Sequence, residues 1–227
     1  SRDPAFLRAI AYGVTTSLIS PGSANLIGGQ CVALKNWGKH LEERVIRNPA
    51  ALKIAFGENP KRCYGAQNKA PSTRMGSGAL LRKTFLASLD YKKRKDTAKE
   101  PLRRNLKYEA LFPVLSGAIP LMAHVHRGDD LLTVIRMAKE FNLSLILNHT
   151  TEGHLVIDEL KDAGYSAIVG PSMWARRKAE LSKQSIATAA LLKKAGIKVA
   201  ITTDHPVTLS ESLPLCAGLA MREGLSF

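Results

Sequence analysis

The chain has 227 residues, 45% hydrophobic and 23% charged, ordinary proportions for a globular protein that exclude global disorder. No apolar run reaches the roughly 20 residues of a membrane-spanning helix, so a membrane partner is not expected. The formal net charge is +14, and the segment 82–107 supplies half of it, with ten Lys/Arg against three Asp/Glu.

The predicted elements alternate between short apolar runs and amphipathic stretches. Residues 5–12 read as a helix closed by Gly13. Val14 to Ile19 is β-branched and short, which predicts a buried strand stopped by Pro21-Gly22. Weaker strand signal follows over 30–34, then a strand over 51–56 between Pro49 and Gly57. Residues 57–79 are rich in Gly, Pro, Asn and Ser and predict a long loop. Residues 80–111 are helical by composition, with a break at Pro101.

The second half is regular. Strands are predicted at 119–124, 143–148, 167–169 and 198–203. Helices are predicted at 129–141, 154–163, 185–195 and 213–223. Strand–helix alternation with nearly continuous apolar strands predicts a parallel sheet with helical crossovers, that is, an α/β fold. Cys31, Cys63 and Cys216 form no CxxC pair and are too few for a disulfide scaffold, which makes a reducing cytoplasm the expected setting.

The strand ends carry the chemistry. The 119–124 run exits into His124-Val125-His126, and the 143–148 run into His149. The 198–203 run exits into Asp204-His205, and the 51–56 run into Gly57-Glu58. In a (β/α) barrel the C-terminal strand ends form the face where catalytic groups converge. Imidazole and carboxylate are ligands for Zn²⁺ and related ions. A lone strand-end His is more often a hydrogen-bonded structural residue, and Asp204 or Glu58 could simply start a turn. Four such events on one face favour the functional reading for His124, His149 and Asp204, and less strongly for Glu58. His126 and His154 are evenly balanced, and His40 has no assigned role.

Five motifs resemble the amidohydrolase superfamily: GVTTSLISPGSANLIGGQ (13–30), AFGENPKR (55–62), IPLMAHVHRGDDLL (119–132), LILNHTTEGH (145–154) and VAITTDHP (199–206). The branch they are most similar to is the metal-dependent hydrolases related to imidazolonepropionase. The resemblance implies a TIM-type barrel that hydrolyses amide, imide or cyclic amide C–N bonds with a divalent metal, Zn²⁺ foremost. It implies metal ligands at His124, His149, Glu58 and Asp204, with Asp204 also the general acid/base. Some relatives carry a carbamylated lysine on the strand before Glu58. Lys53 lies inside that strand rather than at its end, so Glu58 is preferred. His126, His154 and His205 would face a small-molecule substrate, and the loop with Ser23, Asn25, Gly28 and Gly29 would line the pocket.

The family's first strand ends in a His-x-His pair, and no such pair precedes Gly13. Seven strands are predicted, matching the second to eighth of a barrel. The expectation is therefore one incomplete barrel domain over residues 1–227, weakly active or inactive by itself. Its open edge could pair with a second copy. The competing reading is a catalytically dead basic scaffold that binds nucleic acid or another polyanion. Few aromatic residues flank the basic segment, so nucleic acid is the less expected partner.

Overall fold

The computed structural model describes residues 3–173, 175 and 178–226. In chain order the helices and strands are α1 (Pro4–Ala11), β1 (Thr16–Ile19), β2 (Ile27–Lys35), α2 (Leu41–Arg44), β3 (Val45–Ala55), α3 (Glu58–Gly65), α4 (Arg74–Thr97), α5 (Leu106–Glu109) and α6 (Phe112–Leu115). They continue with β4 (Leu121–Val125), α7 (Gly128–Glu140), β5 (Leu145–His149), α8 (Ile157–Ala163), β6 (Ser166–Val169), α9 (Thr188–Lys194), β7 (Val199–Ile201) and α10 (Leu213–Arg222). The seven strands form one sheet in sequence order, β1 to β7. Among the described residues the two outer strands do not pair with each other, so this is an incomplete TIM-type barrel.

The strands from β3 to β7 are parallel neighbours, joined through helices. β1, β2 and β3 pair antiparallel instead, which corrects the expectation of a parallel sheet throughout. β1 is also largely exposed rather than buried. Its four residues, Thr16-Ser17-Leu18-Ile19, are too few to show the alternation that marks a one-sided strand. The parallel run has five members, because β6 lies between β5 and β7.

Strand alternation separates two packing layers. Leu52 and Ile54 on β3, Leu121, Ala123 and Val125 on β4, Leu145 and Leu147 on β5, and Val169 on β6 belong to the main core, with Leu81, Phe85, Leu131 and Leu160 from the helices. The opposite face holds a smaller cluster of Cys31, Ala51 and Met122, with Ile146 and Ile168 packed against it. Lys53, His124 and Asn148 share strand parity with that second set. The register sets Lys53 beside Met122 and His124 beside Asn148.

Residues 57–79 are not a loop throughout. α3 occupies Glu58–Gly65, and α4 begins at Arg74 with Thr73 Oγ1 accepting from Gly76 N. α4 ends at Thr97, ahead of Pro101, as the composition predicts. The predicted helix over 154–163 starts later: residues 153–155 form a 3₁₀ turn and α8 starts at Ile157.

Several charges of the basic segment are paired. Arg82 binds Glu140, Lys92 binds Asp96, and both Lys95 and Arg104 bind Glu109. These last two cations, Arg104 foremost, hold the Glu109 carboxyl at about 2. No helix among the described residues is long and apolar enough to cross a membrane.

Candidate metal centre at the strand ends

Three imidazoles meet at the C-terminal ends of β4 and β5. His124, His126 and His149 are all buried, and one ligand atom from each lies within 4.8 Å of the others. The ring centroids are 4.7 Å apart for His124–His126, 4.5 Å for His124–His149 and 4.7 Å for His126–His149. His124 and His126 share strand parity and reach the site by simple alternation. His149 has the parity of Leu145 and Leu147, which point to the helix layer. Its backbone is left-handed, with φ +77°, and this departure from strand geometry accompanies a ring turned onto His124. Such a conformation in a non-glycine residue costs of order 1–3 kcal/mol, which the surrounding structure must offset.

Each ring has a defined partner. His149 Nδ1–H donates to Gly170 O at 2.7 Å, which leaves Nε2 with a free lone pair. His126 Nδ1 lies 2.7 Å from Thr151 Oγ1. Asn59 Nδ2 donates to His124 Nε2 at 3.2 Å and to Ser23 Oγ at 2.8 Å. Lys178 Nζ donates to Asn59 Oδ1 at 2.5 Å. That contact fixes which way the amide faces.

Burial dominates the electrostatics. It pushes the pKa of His124 and His126 well below the usual imidazole value, helped by neighbouring imidazoles and the Lys178 ammonium. His149 also moves down through burial, opposed by the Asp204 carboxylate and the Gly170 carbonyl. All three rings are therefore neutral near pH 7, the form a metal requires. Lys53 is buried beside them, with Nζ donating to Ser20 Oγ at 3.4 Å. Burial lowers its pKa, and Asp204 and Cys31 oppose that shift.

The remaining predicted site residues are placed differently. Asp204 is half-buried, with φ +52°, and its carboxylate is within electrostatic reach of His149 and Lys53. It does not join the three-imidazole group. Glu58 is the first residue of α3, and its backbone amide donates to Glu180 Oε2 at 2.9 Å. Its carboxylate acts electrostatically on Glu180, and it too stands outside the imidazole group. Gly28 packs against Lys53: a Cβ there would lie 3.6 Å from Lys53 Cγ. Gly29 has φ +130°. Asn25 Oδ1 accepts from Tyr64 Oη at 2.7 Å, out in solvent. His154 Nδ1 contacts Thr188 Oγ1 at 2.9 Å. His205 is exposed, and its Nδ1 accepts from Ser210 N at 3.4 Å.

Sequence reasoning missed Glu180, Lys178 and Asn59. Glu180 is 1% exposed, and burial pushes its carboxyl pKa up, with the Glu58 amide and Lys178 opposing. Nothing in the local sequence AELSK marks a buried carboxylate. Only the Asn59 position adjoins a predicted site residue.

The donor set fits a divalent cation. Three neutral imidazoles converge in a buried site, and His149 is oriented through its second nitrogen by a carbonyl, the usual support of a metal-bound histidine. Tetrahedral Zn–N bonds near 2.1 Å set ligand atoms on one ion about 3.4 Å apart, so a group whose ligand atoms lie within 4.8 Å of one another contracts by up to about 1.4 Å to hold one.

No family model matches the chain. It is 28% identical over 254 aligned positions to the amidohydrolase tasK of Hapsidospora irregularis, an alignment that takes in 99% of this chain and 26% of that protein. It superposes on the crystal structure of an amidohydrolase from Thermotoga maritima MSB8 with a TM-score of 0.96 and 42% identity, over 99% of this chain and 60% of that one. The chain thus spans about a quarter of the curated relative and about three fifths of the crystallised one.

Proposed function

We propose that this chain carries the strand-end metal centre of an amidohydrolase, related to the imidazolonepropionase branch, that hydrolyses amide, imide or cyclic amide bonds of a small molecule. The observation that carries this reading is the buried group of His124, His126 and His149 within 4.8 Å, on a fold shared with a crystallised amidohydrolase. His124 and His149 are the ligands this reading puts first, with His126 beside them and Zn²⁺ as the ion. A divalent ion bound there lowers the pKa of a water and polarises a scissile carbonyl.

The chain's own residues supply the rest. Asp204 faces His149 from the β7 end and is the carboxylate suited to take a proton from the attacking water and deliver it to the leaving nitrogen. Lys53 lies behind the cluster and balances the Asp204 charge. The loop at Ser23 reaches the cluster through Asn59 and forms one wall for substrate. Three free thiols, two of them buried, are in keeping with a reducing cytoplasmic setting.

The test is metal content per chain by elemental mass spectrometry, with His149→Ala beside the parent protein, followed by hydrolysis assays on cyclic amides. About one equivalent of Zn²⁺ or a similar ion, lost in the variant, supports the reading. No metal in the parent protein after reconstitution overturns it.

A further inference from the structure

Glu180 presents an unusual pairing. It is 1% exposed, and its two carboxylate oxygens are treated very differently. Oε2 accepts from the Glu58 amide at 2.9 Å, across 122 residues of chain. Oε1 is buried and has no hydrogen-bond partner among the described residues. Its nearest ionisable neighbours are the neutral His126 at Nε2 and the Lys178 ammonium, each at 3.8 Å. The other buried carboxylates are bonded differently. Asp130 holds Arg74 at 2.8 Å, and Glu152 Oε2 accepts from Gly128 N at 2.9 Å. A buried carboxylate oxygen without a hydrogen bond is costly and calls for an explanation.

We propose that Glu180 is the positioning residue of the imidazole cluster: it orients His126 directly and His124 through Lys178 and Asn59. The direct arm is the free oxygen 3.8 Å from His126 Nε2, beyond hydrogen-bond reach, where the carboxylate charge favours the ring orientation and tautomer that turn an N–H toward it. The indirect arm runs through two bonds already given. Glu180 holds Lys178 by charge, and Lys178 Nζ grips Asn59 Oδ1 at 2.5 Å. Asn59 Nδ2 then points at His124 Nε2 at 3.2 Å. The Oε2 bond to the Glu58 amide fixes the start of α3, and so the place from which Asn59 projects. Gly57 is built around this contact, since a Cβ there would lie 2.7 Å from Glu180 Oε2. His149 stands apart, because Gly170 O holds it independently.

That independence provides the control. Ring ¹⁵N signals of the histidines are recorded on metal-free protein at neutral pH, for the parent chain, Glu180→Gln and Lys178→Met. Glutamine keeps an acceptor for the Glu58 amide and removes the charge. In Glu180→Gln the two nitrogens of His126 and of His124 shift toward tautomer-averaged values, while those of His149 stay in place. In Lys178→Met, a partly exposed site that a folded chain tolerates, His124 shifts and His149 does not. Unmoved His124 and His126 rings in Glu180→Gln overturn the proposal, as does an equal shift of all three, which marks a merely structural loss. If Glu180→Gln fails to fold, an unmoved His124 in Lys178→Met overturns it.

The proposal rests on the metal reading only in calling the cluster a metal centre. Titration with Co²⁺ separates the two. Orienting groups behind metal ligands are worth about 10- to 100-fold in affinity, so Glu180→Gln should bind Co²⁺ more weakly by that factor. Equal affinity in parent and variant overturns the positioning role. No Co²⁺ uptake by the parent overturns the metal reading, and the metal-free ring shifts then decide Glu180 alone.

Discussion

Replacing Gly57 with alanine should destabilise the chain far more than an ordinary glycine substitution. Gly57 precedes α3 with φ +87° and ψ −143°, a region essentially restricted to glycine, where a side chain costs about 1–3 kcal/mol. The added Cβ would also lie 2.7 Å from Glu180 Oε2 and 3.2 Å from Asp130 Oδ2. Glu180 is buried and cannot step aside without losing the Glu58 amide, a hydrogen bond to a charged group worth about 1.5–3 kcal/mol. Together the two terms give a loss of roughly 2.5–6 kcal/mol, a large share of the 5–15 kcal/mol typical of a whole domain. Gly164 is the control. It caps α8 with φ +70°, and nothing lies within 4 Å of its would-be Cβ. Gly164→Ala therefore carries only the left-handed backbone cost, about 1–2 kcal/mol. Urea unfolding of both variants reads the difference. Equal losses, within about 0.5 kcal/mol, would refute the close approach of Glu180 to the α3 start.

Three further outcomes are expected. Phe85 is fully buried and meets Phe141 edge-on at 5.2 Å, so Phe85→Ala should cost about 3–5 kcal/mol in the same assay; a loss below 1 kcal/mol would mean that α4 does not dock as described. The metal-free protein should lose stability in mild acid. His124, His126 and His149 are all lowered in the folded state, so the unfolded chain takes up protons first as pH falls. Their contribution is complete above the unfolded imidazole value near 6.5 and declines below it, by at most about 4 kcal/mol per pH unit for three rings. A urea midpoint unchanged between pH 7 and pH 5 would contradict the buried neutral cluster. Finally, the Asp204 carboxylate raises the His149 pKa against its burial. Asp204→Asn should therefore lower it further, read by ring NMR titration, and a rise would show that Asp204 does not face His149.

The sequence by itself determined the parallel half of the fold. The apolar runs ahead of His124 and His149 sit within a residue or two of β4 and β5, because fully buried strands must be continuously apolar and end where polar residues begin. The same logic located His124 and His149, since strand ends at the C-terminal face are where polar side chains can converge. The tertiary structure alone decided what depends on distant partners. α3 reads as loop because ENPKRCYG has little apolar periodicity, and its start is capped by a carboxylate 122 residues away. The exposed, antiparallel β1 reads as buried, because a four-residue run does not disclose which neighbour it pairs with. His149 joins its two neighbours through a left-handed backbone that alternation does not foresee. Glu180 was invisible for the same reason: a glutamate in a polar stretch reads as solvated, and only the packing of the β6–α9 connection against α3 buries it beside the imidazoles.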